Sequence, residues 1–129
     1  MGIRFEKKTK LDWIRQMEEF LRLVIESKEE QKEPMKMNEM EQAYQQFFNR
    51  ERSFFQRHQL SEIERLLHEL DPEQIPLLAN LLIQDGLMHQ DSSLLANARH
   101  VIESNMRSTG AMTLADYEHL SVISNALKS

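Results

Sequence analysis

The stretch LSEIERLLHELDPEQIPLLANLLIQDGLMHQDSSLLANARHVIESNMRSTG, residues 60–110, sets the class of fold. It holds three apolar stripes with three- and four-residue spacing, the period of one face of an α-helix. The first is Ile63, Leu66, Leu67 and Leu70, preceded by Ser61 and Glu64 at capping-box spacing. Asp71-Pro72 then restarts the helix, but Pro76 falls where its ring would clash with the carbonyl four residues back. The expectation is a single turn over 71–75 and a helix proper from near Pro76. That helix carries Leu77, Leu78, Leu81, Leu82 and Met88, with Gly86 near its end. Asp91 caps the next, whose stripe is Leu94, Leu95, Ala98, Val101, Ile102 and Met106, and Gly110 supplies a left-handed stop.

The same grammar extends both ways. Downstream, Thr113 and Asp116 form a capping box ahead of Tyr117, Leu120, Ile123 and Leu127, which are expected to be buried. Upstream, Asn38 and Glu41 open a helix with the stripe Met40, Tyr44, Phe47, Phe48, Phe54 and Phe55, and its continuity with the helix after it is left open. The first helix is expected over 12–27, with Asp12 at its positive end and Trp13, Ile14, Met17, Phe20, Leu21, Val24 and Ile25 on one face. Residues 1–10 are read as a flexible basic N-terminus and 28–37 as a polar, proline-containing linker before a helical core over 38–127. No run alternates with period two, so no strand is expected. The chain is thus read as one all-α domain, residues 1–129, of five to six amphipathic helices and roughly 70% helix.

Composition narrows the function. With no cysteine among 129 residues, disulfides and thiolate metal sites are excluded, which fits a reducing cytoplasm. The N-terminus has charges but no apolar stretch after them, against a secretory signal. No uncharged apolar run reaches the length of a membrane span. The net charge of −5 is uneven. Residues 1–60 hold 12 Lys and Arg against 11 Asp and Glu, and residues 61–129 hold 4 against 10. An acidic half argues against general nucleic-acid binding.

Helix starts near residues 38, 76 and 114 repeat every 38 residues, a period typical of stacked helical hairpins. The pattern resembles a tetratricopeptide-like array, with Leu70-Asp71-Pro72 placed like a repeat end and Leu78 and Leu81 at apolar positions of the next. The fold class is therefore a helical bundle or such stacked hairpins. The segment Asp12-Trp13-Ile14-Arg15-Gln16-Met17-Glu18 and the closing Tyr117-Glu118-His119-Leu120 also resemble a family of short all-helical proteins from Gram-positive bacteria, a domain of unknown function. That resemblance implies a cytoplasmic bacterial protein with no assigned activity.

Motifs for chemistry are sparse. Glycine occurs only at positions 2, 86 and 110, so no phosphate-cradling loop can be built in the usual way. Glu64 with His68, and Asp116 with His119, have helical spacing for a shared metal, but such pairs also arise on any solvated helix face. No catalytic, cofactor or metal residue is assigned. The most unusual feature is Phe47, Phe48, Arg50, Arg52, Phe54 and Phe55. Its two aromatic pairs lie seven residues apart, so on one continuous helix all four rings share a side. That block is read either as a partner groove with a basic rim or as the core stripe of a central helix. Trp13, Met17, Phe20 and Val24 form a second candidate face, for self-association or a membrane surface. The function expected is a non-enzymatic, self-associating protein–protein interaction module with an unknown protein partner, no cofactor and no nucleic acid. Peripheral membrane attachment through helix 1 and binding of a small anionic ligand at the aromatic–arginine block are the alternatives.

Overall fold

In the computed structural model, which describes residues 7–29, 37–57 and 59–128, two adjacent apolar helices pack so closely that a glycine is needed between them. These are α4 (Ile75–Met88) and α5 (Ser92–Thr109), and they form the hairpin on which the other helices rest. A Cβ on Gly86 would lie 2.8 Å from Leu95 Cγ and Cδ2 and 3.2 Å from the Asp91 carbonyl. Gly86 lies near the end of α4, as expected, and is a close-packing residue there. The helix ends at Met88, and Gln90 takes the left-handed conformation.

Around the hairpin, α1 (Lys7–Glu29) lies on α4, α3 (Leu60–Glu69) lies on α5, and α6 (Leu114–Leu127) packs on α5 and α4. The chain is all-helical, with 83% of the described residues in helix and no strand among them. One apolar cluster runs through it, from Trp13 and Met17 on α1 to Leu81 and Leu82 on α4, Val101 on α5 and Ile123 on α6. The starts of α2 (Met37–Phe48), α4 and α6 keep the near-38 spacing. A short 3-10 turn (Arg52–Phe55) stands between α2 and α3, so the first pair is not joined like the α4–α5 hairpin.

Local signals set several boundaries as expected. A turn over 72–74 precedes α4, whose first turn holds Pro76. The Asp91 carboxylate accepts from the Leu94 N–H at 3.1 Å. Gly110 closes α5 at φ 71°, and Thr113 and Asp116 exchange both bonds of their capping box.

Other boundaries differ. Residues 7–10, expected in the flexible tail, belong to α1, where Lys10 pairs with Asp71 and Glu73. Ser61 and Asn38 lie inside helices that begin one residue earlier. Most of the expected linker, residues 30–36, and residues 1–6 lie outside the described residues. The largest difference is in α2. Instead of running on through Phe55, it ends at Phe48 because Asn49 adopts φ 55°, a left-handed conformation that asparagine tolerates. On α6, Tyr117 is exposed. At 100° per residue it lies about 120° round the helix from buried Ile123, whereas Leu120 and Leu127 lie nearer to Ile123 and are half-buried.

The α4–α5 approach gives a direct check. Gly86→Val must displace the buried Leu95 side chain, so unfolding free energy should fall by about 1–3 kcal/mol, the usual cost of overpacking. Denaturant titration at unchanged helical content measures it. A variant as stable as the parent contradicts the close packing.

Candidate functional site

The expected aromatic groove is not an open one. Phe47, Phe48 and Phe55 are buried, and only Phe54 is half-exposed. Trp13 meets Phe47 and Phe48 edge-on at 5.7 and 5.5 Å, and Tyr44 lies 5.0 Å from Phe55. The Trp13 indole N–H also donates to the Phe47 carbonyl at 3.0 Å, satisfying a group at the end of α2 that has no partner within the helix. This draws in the second candidate face as well. Trp13, Met17 and Val24 are buried against the same chain, and Phe20 is half-buried beside Phe47 at 6.1 Å.

What turns the block inward is its arginine. Arg52 is buried and donates from Nε to Asp85 Oδ2 at 2.8 Å and from Nη2 to Asp85 Oδ1 at 2.9 Å. Asp85 sits on the apolar face of α4, seven residues after Leu78, and is fully buried. Tyr44 donates its hydroxyl to Asp85 Oδ2 at 2.7 Å, and His89 Nδ1 lies 2.8 Å from Oδ1. An ionised carboxylate has about four acceptor positions, and all are taken. The rest of the segment is tied down likewise. Glu41 accepts from the Arg52 backbone N–H, Gln56 donates to Asp91 at 2.6 Å, and Asn97 on α5 donates to the carbonyls of Phe55 and Arg57. Arg50 stays at the surface, where it pairs with Glu69 at 3.3 Å and lies over the Phe54 ring at 5.5 Å.

The electrostatics match a closed network. Burial, the Asp85 charge and the hydrogen bond to Asp85 hold the Tyr44 phenol well above its ordinary value. The hydrogen bond to Asp85 likewise holds Arg52 above its ordinary value. Both oxygens of the Asp85 carboxylate are thus met, and the Arg52 guanidinium is engaged with it.

The histidine–carboxylate pairs go elsewhere. Glu64 turns toward α5, where His100 Nε2 lies 2.9 Å away and Ser104 donates at 3.0 Å, rather than toward His68. Asp116 serves the α6 capping box. His58 lies outside the described residues. Among the described residues no three His, Asp or Glu side chains gather to hold a metal.

The two most exposed large apolar side chains lie on a helix that sequence reasoning had turned inward, while Leu11, Leu23, Met37 and Leu60 are exposed singly elsewhere. Within α6 only Ile123 is buried. Leu114 is 76% exposed, Tyr117 66% and Val122 42%, and Met112 in the preceding connection is 42% exposed. Leu114 lies directly opposite Ile123 on the helix. This ridge borders two concavities. One, of about 520 Å³, is formed by Glu103, Met106 and Arg107 on α5 with Gly110, Ala111 and Met112. The other, of about 360 Å³, has apolar walls from Ile75, Pro76, Ala79, Val101 and Ile102, and His119 at its edge.

No family model matches this chain. Comparison with curated proteins and with solved structures finds no match either.

Two predictions test the network. Asp85→Ala leaves Arg52 charged and buried with only a 3.8 Å approach to Asp91, and should cost about 3–5 kcal/mol in denaturant unfolding. Arg22→Ala, which removes exposed pairs with Glu19 and Glu26, should cost about 0–1 kcal/mol. The second concerns pH. Above about pH 10 an unfolded tyrosine loses its proton while folded Tyr44 keeps it, so stability falls as pH rises beyond that point. The contribution is fully present below pH ~10. Tyr44→Phe should give a shallower alkaline fall, measured as unfolding free energy from pH 8 to 11.

Proposed function

We propose that this chain is a non-enzymatic protein–protein interaction module that binds through the outer face of α6. The observation that carries the reading is an apolar helix left with only one buried residue. A helix that is apolar all round is ordinarily buried, and large exposed apolar patches mark interaction sites. On the outer line of α6, Leu114, Ser121, Val122 and Asn125 share a single charge, Glu118. The two concavities beside this ridge give a partner both a raised and a hollow surface to match.

The other readings have less to stand on. The α1 face offered to a membrane has Trp13, Met17 and Val24 packed within the chain, and no described helix is long and apolar enough to cross a membrane. An anionic ligand at the aromatic block would have to compete with Asp85 for Arg52. A catalytic reading has less support, because Asp85 and Arg52 are engaged with each other and with Tyr44 and His89.

The test is a photo-crosslinking amino acid placed at Tyr117 and, as a control, at the exposed Arg15, in the full chain expressed in its source cell. The reading predicts a covalent adduct with another polypeptide at 117, absent at 15 and absent at 117 when Leu114 is changed to Glu. No adduct at 117, or equal adducts at both positions, contradicts it.

A further inference from the structure

The α6 face has the properties of a surface made to meet its own copy. We infer that two chains pair about a two-fold axis, with the Leu114–Tyr117 ridge of each seated in the α5–α6 concavity of the other. This rests on the interaction reading above and names the partner.

Three observations favour a second copy over another occupant. The first is shape. A two-fold interface must present a projection and its matching hollow on the same surface, because each residue i that meets j also receives i on its own j. Here the ridge and the concavity of about 520 Å³ adjoin through Met112, which belongs to both. The concavity has Met106 and Met112 in its wall, and unbranched thioether side chains adapt to an inserted leucine or ring.

The second is charge. The concavity carries both signs: Arg107, its side chain 65% exposed and 3.8 Å from Glu64, and exposed Glu103. Glu118, one helical turn beyond Leu114, is exposed on the ridge. When Leu114 of one chain enters the concavity of the other, Glu118 arrives at the partner concavity's arginine, and the symmetry makes this pairing twice. A uniformly basic or uniformly acidic partner would meet a like charge at one of the two positions.

The third is extent. A stable interface takes about 800 Å² from each partner. That is a tenth of the 7927 Å² of accessible surface here. The ridge from Met112 to Val122, with concavities flanking it over the last two turns of α5 and the first turns of α6, has an extent suited to that need.

The experiment is sedimentation equilibrium on the full chain over a hundredfold concentration range, with circular dichroism on every variant. The parent should sediment at twice the chain mass. Leu114→Glu and Tyr117→Glu should each sediment at the single-chain mass with unchanged helical content, since neither side chain is in the core. Glu118→Arg and Arg107→Glu should each weaken dimerisation at least tenfold, and combining them should restore it. A parent that is monomeric throughout overturns the inference, and a Tyr117 crosslink to a different polypeptide would then leave the interaction reading standing. A parent dimer that survives both ridge variants also overturns it, by placing the interface elsewhere. Charge reversals that fail to rescue each other in an otherwise α6-dependent dimer overturn the proposed pairing of Arg107 with Glu118.

Discussion

The buried ion pair between Arg52 and Asp85 is the constraint on which the arrangement of this fold depends. Asp85 projects from α4 into an apolar interior, where an isolated carboxylate would cost several kcal/mol after relaxation. It is tolerated because Arg52 meets it with two hydrogen bonds and Tyr44 and His89 fill the remaining positions. Satisfying Asp85 requires a segment 33 residues upstream to be carried onto α4. That is why α2 stops at Phe48, the chain turns at Asn49, and a 3-10 turn delivers Arg52 and Phe55 together. The aromatic residues follow: Phe55 joins Tyr44 and Phe48, and Trp13 closes over Phe47 and Phe48. A charge pair of this kind adds little net stability compared with well-packed apolar residues, so its effect here is on position: it fixes which surface of the aromatic segment faces inward.

That placement also decides what remains outside. With the aromatic block and the α1 face both used in the interior, the candidate surfaces with the richest sequence signal are spent on packing. The ridge on α6 remains, on a helix with few charges and a single buried residue. The contrast with α1 is instructive. There Arg22 is flanked by Glu19 and Glu26 on the outer side, and Met17, Leu21 and Val24 lie inside, the division expected of a helix that meets water on one face. α6 lacks that division.

What the sequence made legible was local. The Asp91 cap, the Gly110 stop, the Thr113–Asp116 box and the turn before Pro76 are each set by residues within four positions of one another, and each appears where it was expected. What it hid was set by distance. Asn49 became a helix end because of a partner for Arg52 that lies on another element. A usable signal was present: in LLANLLIQDGLM, Asp85 falls seven residues after Leu78, on the line of the core stripe, and a carboxylate there demands a buried cation. Arg52, set between aromatic pairs, was the natural candidate. The inward placement of Tyr117 failed for a different reason. With apolar residues on every side of α6, periodicity could not say which line faced the core, and packing against α4 and α5 chose Ile123. The candidate site was therefore legible as composition but not as orientation.

A double-mutant cycle across Arg52 and Asp85 tests the central claim most directly. Unfolding free energies would be measured for the parent, Arg52→Met, Asp85→Leu and the double variant. If the two side chains form one buried unit, each single change strands the other member of the pair, while the double change strands neither and leaves only the loss of Asp85 to Tyr44 and His89 that Asp85→Leu already causes. The coupling should then reach about 2–3 kcal/mol, the upper part of the range for residues that share a network. Single effects that add within about 0.5 kcal/mol would mean that the two residues act independently, and the account of how this fold is arranged would be wrong.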